Sequence, residues 1–377
     1  MEIFNISIPY ISSKNKKDVM TSLNNESVST YGHEVELFEK ALKQKSFFKY
    51  SIGTNSGTSS LELIFKVGLA KNKKSKPLVA ISDYTFIATS NAVINSGSDV
   101  CLVPCEENFS MSCEFLEKEI QKNSGKNRRK IDAILLTLPM GNIVKSIEKI
   151  SNISQKFNIP LVIDAASSIG IDFKLLHKMC PNIWALILSF NGNKVITAGA
   201  GGVILTKDKK LEIAIREQIS LHRRSNYHHK GIGENKKMPA ICASLGLSQL
   251  EELKWRLKER KSVFDLYENF LSDSKLGEHF KFSNEDALSH SYWIAGIIPK
   301  TKSIRRINLY RQKLGDQGII SPPFWKKISS QKEYAKFVRF NVSSFDYDIP
   351  EYIQLPSSYK INKKSLLSKL IKFEKEI

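Results

Sequence analysis

"LSFNGNKVITAGAGGVILT", residues 188–206, sets one lysine, Lys194, between an Asn-Gly-Asn turn and a glycine-rich run. Apolar residues flank it, Ile183–Phe190 before and Gly202–Leu205 after. Continuous apolar runs of this kind read as strands covered on both faces. Lys194 is therefore expected in a buried neighbourhood, where a desolvated amine becomes a better nucleophile. Glycines 199, 201 and 202 are expected to let the backbone pass close to a bulky group. Taken alone, Lys194 still reads as an ordinary solvated loop lysine, so the stretches around it decide.

Moving outward, "LVAIS" (78–82), "DVCLV" (99–103), "DAILLTL" (132–138), "PLVID" (160–164), "WALILSF" (184–190) and "GGVILT" (201–206) read as buried strands. Helical patterns lie between them, at 59–70, 88–96, 114–121 and 144–157. This alternation predicts an α/β domain with a mainly parallel sheet. "HEVELFEKAL" (33–42) places Val35, Phe38 and Leu42 on one helix face. "PAICASLGLSQLEELKWRLKERKSVFDLYENFL" (239–271) predicts one long helix or two in series, starting at Pro239. Strand-like 292–299 and helix-like 305–318 and 363–377 follow. The expected division is a large α/β domain over 1–250 and a smaller α+β domain over 251–377.

The 377 residues suffice for a sizeable core, and no apolar run is long enough to span a bilayer. The first residues lack a secretory pattern, so the reading is cytoplasmic. The spacing of the five cysteines fits no usual zinc or iron–sulfur pattern, which predicts reduced structural thiols and no metal. The net charge of +19 raises an anionic partner. Its basic clusters, at 71–76, 126–130, 254–261 and the C-terminal tail, are scattered and lack a nucleic-acid module signature. Surface lysine is the preferred explanation, and an anionic small substrate is compatible with it.

Three further stretches carry candidate chemistry. In "GTNSGTSSLELIF" (53–65), Gly57 and Thr58 open a helix whose N-terminus suits a phosphate; ordinary capping is the alternative. "PLVIDAASSIG" ends a strand on Asp164, a carboxylate for a protonated ring nitrogen or a helix cap. Phe86, in "YTFIATSNAV", is either a core aromatic or a stacking platform. Ser189 and Lys194 bracket the Asn-Gly-Asn turn. A phosphate cradle, a stacking ring, a carboxylate and an amine for an aldehyde are together the demands of pyridoxal phosphate.

Across about residues 5–360 the chain resembles the DegT/DnrJ/EryC1/StrS sugar aminotransferases. It looks closest to the branch that makes 4-amino-6-deoxy sugars on nucleotides, including legionaminic-acid-type pathways. "SFNGNK" with its glycine-rich strand entry is the most specific match; "STYGHEVELFEKAL", "NSGTSSLEL", "YTFIATSNAV", "DAASSIG", "GLSQLEEL" and "FWKKI" accompany it. The resemblance implies the pyridoxal-phosphate fold type I, aspartate aminotransferase-like. It implies that Lys194 forms the internal aldimine with pyridoxal 5'-phosphate and that Asp164 pairs with the pyridine nitrogen. Phe86 would stack on the ring, and Gly57, Thr58 and Ser189 would hold the phosphate, with Ser167 among the cofactor contacts. Asn235 would reach the phosphate from the neighbouring subunit of a homodimer with shared active sites. Tyr31 and Gly32 would lie near the nucleotide sugar.

Departures from the family pattern fall at Ser167, Lys237, "LPMG" (138–141) and Pro322-Pro323. Relatives with histidine for the lysine act as dehydratases, and Lys194 argues against that here. The implied activity is transamination of a nucleotide-linked 4-keto-6-deoxy sugar to a 4-amino sugar, with glutamate as amino-acid donor, in surface polysaccharide or nonulosonic-acid-type synthesis. The alternatives are a non-catalytic regulatory or nucleic-acid-binding relative, and a transaminase of a non-nucleotide keto sugar or cyclitol. Lys194 with Asp164 speaks against the first, and no membrane partner is expected.

Overall fold

Leucine- and β-branched-rich runs form the central sheet of the computed structural model, which describes residues 2–69, 75–122, 129–283, 285–334 and 348–377. Ala70 and most of the basic clusters at 71–76 and 126–130 lie outside those residues. In chain order the strands are β1 (Tyr50–Thr54), β2 (Leu78–Ser82), β3 (Asp99–Val103), β4 (Ala133–Thr137), β5 (Ile143–Val144) and β6 (Leu161–Asp164). There follow β7 (Ile183–Ser189), β8 (Gly202–Thr206), β9 (Phe280–Phe282), β10 (Ala287–Ser289), β11 (Ala295–Pro299) and β12 (Ile353–Leu355).

The seven-stranded sheet runs β1-β8-β7-β6-β4-β2-β3. Its pairs from β7 to β3 are parallel, while β8 is antiparallel to both β7 and β1. The reversal has a local cause: no helix separates β7 from β8, so the chain folds straight back through the loop that carries Lys194. Helices cover both faces, giving one apolar cluster per face, as the continuous apolar strands require. The parallel strands all end at the same edge, where Asp164 closes β6 and Ser189 closes β7.

The predicted long helix is two in series, Ala240–Glu251 and Leu253–Asp273, with Pro239 just ahead as the N-cap. The helix expected from residue 144 starts at Ser146, because Ile143 and Val144 pair with β10, far along the chain. No sequence-local pattern could have signalled β1, whose partner β8 lies some 150 residues away. A second, antiparallel sheet β12-β11-β9 backs a third cluster containing Phe264, Tyr267, Phe280, Tyr310 and Phe373. Phe4 joins that cluster, its backbone bonded to Gly318 and Ile320.

Within the basic run 254–261, Arg256 and Arg260 are fully buried, contrary to a reading of the run as surface charge. All five cysteines are free thiols, and burial pushes Cys101, Cys105 and Cys180 up to about 12. Among the described residues no helix is long and apolar enough to cross a membrane.

Candidate active site

At the carboxyl edge of the sheet, the loop 190–201 is pinned before it presents anything. Phe190 is fully buried against Phe38, with ring centroids 5.0 Å apart. Its amide donates to the Gly201 carbonyl (2.9 Å), and the Ala198 amide donates to the Phe190 carbonyl (2.8 Å). The Lys194 amide closes the Asn-Gly-Asn turn on the Asn191 carbonyl at 3.1 Å. The lysine side chain then enters a cavity of about 440 Å³. There its amine donates to Ser167 Oγ at 2.8 Å and lies 4.1 Å from the centre of the Trp293 ring. Desolvation lowers the amine to about 8, against a smaller opposite pull from Asp164.

Asp164 is 6% exposed. Its Oδ2 accepts from Thr89 Oγ1 (2.7 Å) and its Oδ1 from the Ala166 amide (3.1 Å). It does not cap a helix: the next one, Phe173–Met179, is capped by Asp172. Burial raises the Asp164 carboxyl above its ordinary value, with Thr89, Ala166 and Lys194 opposing. Each oxygen retains an acceptor site, so the carboxylate can take a further donor from the cavity.

On the cavity's far side the helix Gly57–Gly68 begins. Its N-cap Ser56 accepts from the Ser59 amide at 3.0 Å, which leaves the amides of Gly57 and Thr58 without an intrahelical partner. A side chain at Gly57 would place its Cβ 2.9 Å from that of Ser189. Glycine there keeps the helix N-terminus and the end of β7 together, a cradle for an anion. Gly202 was expected to clear space for a bulky group. Instead its Cβ would fall 2.4 Å from the Ser56 backbone, so glycine there lets the cradle pack on β8.

Phe86 lies on the cavity wall, 53% exposed, with its ring 6.0 Å from that of Trp325. Trp325 in turn stacks on Phe324 at 4.5 Å and tilts against Trp293 at 6.2 Å. One side of the cavity is therefore aromatic.

Gly57, Thr58, Phe86, Asp164, Ser167, Ser189 and Lys194 thus line one cavity. Tyr31, Gly32 and Asn235 do not line it within a single chain. Tyr31 is 72% exposed, stacked beneath the Lys237 amine at 4.6 Å, and Gly32 packs on Ala240. Asn235 is exposed on the same surface, because its segment is tied down at Lys236 and Lys237 by the edge of β1.

Sequence reasoning missed Thr89 and Trp293. Thr89 had a signal: it lies in the first turn of the helix that Phe86 opens, its hydroxyl against that of Thr85, which meets Thr137 at the end of β4. Trp293 had none, since it precedes β11 and reaches the site only through the fold.

The cavity offers the amides of a helix N-terminus for a phosphate, a buried carboxylate, an aromatic wall and a desolvated amine. These residues suit pyridoxal phosphate.

Comparison with known proteins agrees on the class. Residues 9–366 match the DegT/DnrJ/EryC1/StrS aminotransferase family. GDP-perosamine synthase of Escherichia coli O157:H7 is 26% identical over 335 residues, covering 87% of this chain and 86% of that protein. The UDP-4-amino-4,6-dideoxy-N-acetyl-beta-L-altrosamine transaminase of Campylobacter jejuni is 28% identical over 277 residues, 71% of each chain. The solved structure of Helicobacter pylori PseC, an aminotransferase involved in the biosynthesis of pseudoaminic acid, superposes with a TM-score of 0.87 at 20% identity, covering 100% of both chains. The chain belongs to the DegT/DnrJ/EryC1/StrS aminotransferase family and is a pyridoxal-phosphate-dependent sugar aminotransferase of fold type I.

Proposed function

We propose that this protein transfers an amino group from glutamate to the 4-keto carbon of a nucleotide-linked 6-deoxy sugar. The observation that carries the reading is the Lys194 amine, lowered to about 8 in a cavity it shares with buried Asp164. When bound, pyridoxal phosphate supplies an aldehyde for the amine and an electron-accepting ring.

Lys194 would hold the cofactor through its aldehyde carbon and, once released by the amino donor, would move the proton at the donor's α-carbon. Ser167 keeps that amine oriented between turnovers. Asp164, held by Thr89 and Ala166, would keep a proton on the ring nitrogen. Gly57, Thr58 and Ser189 would hold the phosphate, and Phe86 would cover the ring. The aromatic side formed by Phe324 and Trp325 suits the apolar face and methyl group of a deoxy sugar.

The substrate class is supported by the names of two relatives: GDP-perosamine synthase names a nucleotide-linked product, and the UDP-4-amino-4,6-dideoxy-N-acetyl-beta-L-altrosamine transaminase names a nucleotide-linked 4-amino-4,6-dideoxy sugar. Asn235 acts from a second copy, so that a homodimer has two shared sites, and Tyr31 and Gly32 lie near the nucleotide sugar; the exposure of Asn235 and Tyr31 in a single chain supports this reading. The division into domains at 1–250 and 251–377 belongs to the same proposal.

The test is amino transfer from glutamate to a panel of nucleotide-linked 4-keto-6-deoxy sugars, followed by mass spectrometry. Conversion of at least one keto sugar is expected. Conversion of only free keto sugars or cyclitols would replace the substrate, and no conversion of any would refute the reading.

A further inference from the structure

The loop that carries Lys194 is gripped on both sides by residues from distant parts of the chain. Before the lysine, the Asn193 carbonyl accepts from Ser7 Oγ at 2.9 Å and from the Trp293 indole at 3.0 Å. After it, the Val195 carbonyl accepts from the Tyr359 hydroxyl. Ser7, Trp293 and Tyr359 meet at one side chain, Arg260. Its guanidinium donates to the Trp293 carbonyl at 2.6 Å and to Ser7 Oγ at 3.0 Å, and lies 4.5 Å from the centre of the Tyr359 ring.

Arg260 is fully buried, and its partners among the described residues are carbonyls, a hydroxyl and an aromatic ring, with no carboxylate. One helical turn earlier, the equally buried Arg256 pairs with Glu252 at 2.7 Å. A buried cation without a counter-ion costs several kcal/mol of desolvation. Only a rigid planar fork with many donors could bind Ser7 and the Trp293 carbonyl at once.

We propose that Arg260 is a positioning residue for Lys194. Through Ser7, Trp293 and Tyr359 it fixes the backbone on either side of the lysine, and it holds the Trp293 ring over the amine. It touches neither substrate nor cofactor. The inference rests on the reading of Lys194 as the reactive amine, but its test does not need turnover. Loosening the grip lets water reach the amine. Desolvation is the largest influence on that amine, so water reaching it raises its protonation midpoint.

The measurement is the pH dependence of trinitrobenzenesulfonate labelling of Lys194 in the full chain freed of cofactor, read on the Lys194 peptide by mass spectrometry. Thermal melting is recorded alongside. In Arg260→Met the midpoint is expected to rise by about one pH unit. Arg260→Lys, whose single ammonium cannot serve both Ser7 and Trp293, is expected to fall between Met and wild type. A variant that melts earlier but labels with the wild-type midpoint overturns the proposal and leaves Arg260 a packing residue. Should Arg260→Met fail to fold, the double variant Ser7→Ala, Tyr359→Phe is read by the same two outcomes. Failure of amino transfer with the midpoint shift intact would count against the proposed function and not against Arg260.

Discussion

A lysine amine brought down to about 8 makes folding itself depend on pH. Below pH 8 the amine is charged in folded and unfolded chains alike, and the folded chain bears the full cost of burying it. Between about 8 and the ordinary 10.5, the unfolded chain binds the proton and the folded one does not, so stability rises with pH. Lys194→Met is therefore expected to melt higher than wild type at pH 7 in the cofactor-free chain. The gain should fade as pH rises through that window; calorimetry at pH 7 and pH 10 measures it. Thr89 acts on the other charged group. Thr89→Val removes the 2.7 Å bond that holds the Asp164 carboxylate down, so the Asp164 carboxyl rises further. A hydrogen bond to a charged group contributes about 1.5–3 kcal/mol, which corresponds to a loss of roughly tenfold or more in rate. The acid limb of the kcat profile should move to higher pH.

Between elements, the site depends on how closely the helix Gly57–Gly68 approaches the end of β7. Gly57→Ala sets a methyl 2.9 Å from the Ser189 Cβ and must push the two apart. The expected outcome is a Kd for pyridoxal phosphate raised about tenfold, with that for pyridoxal, which has no phosphate, nearly unchanged. Titration followed by cofactor absorbance separates the two. These elements were legible because their signals are local: apolar runs marked β2, β3, β4, β6 and β7, and small residues marked the helix start. Asp164, Ser189 and Lys194 follow from those strands, because strand ends share one edge. The pairing of β5 with β10 and the placing of Trp293 were not legible, since each depends on contacts across a hundred residues or more. Arg260 was hidden differently. In a run of lysines and arginines nothing local distinguishes the buried cation from its exposed neighbours.

At the scale of the whole molecule, the proposed dimer makes a prediction that a single chain cannot. If Asn235 serves its partner's site, Lys194→Ala and Asn235→Ala proteins are each impaired, but a mixed dimer keeps one intact site. Unfolding and refolding the two together should restore about a quarter of wild-type activity, for random pairing of equal amounts. Activity no higher than the sum of the separate variants would place both residues in one subunit's site. The exposed Tyr31 surface and the Lys237 that covers it should then be buried by the second copy, which protection from hydroxyl-radical labelling can report. The central claim concerns Lys194, and borohydride reduction of the cofactor-loaded protein tests it most directly, because reduction fixes the cofactor to the amine that carries it. Peptide mass spectrometry is expected to find the cofactor's mass on Lys194, and absent from the Lys194→Ala protein; the cofactor fixed to another lysine, or to none, would contradict the account.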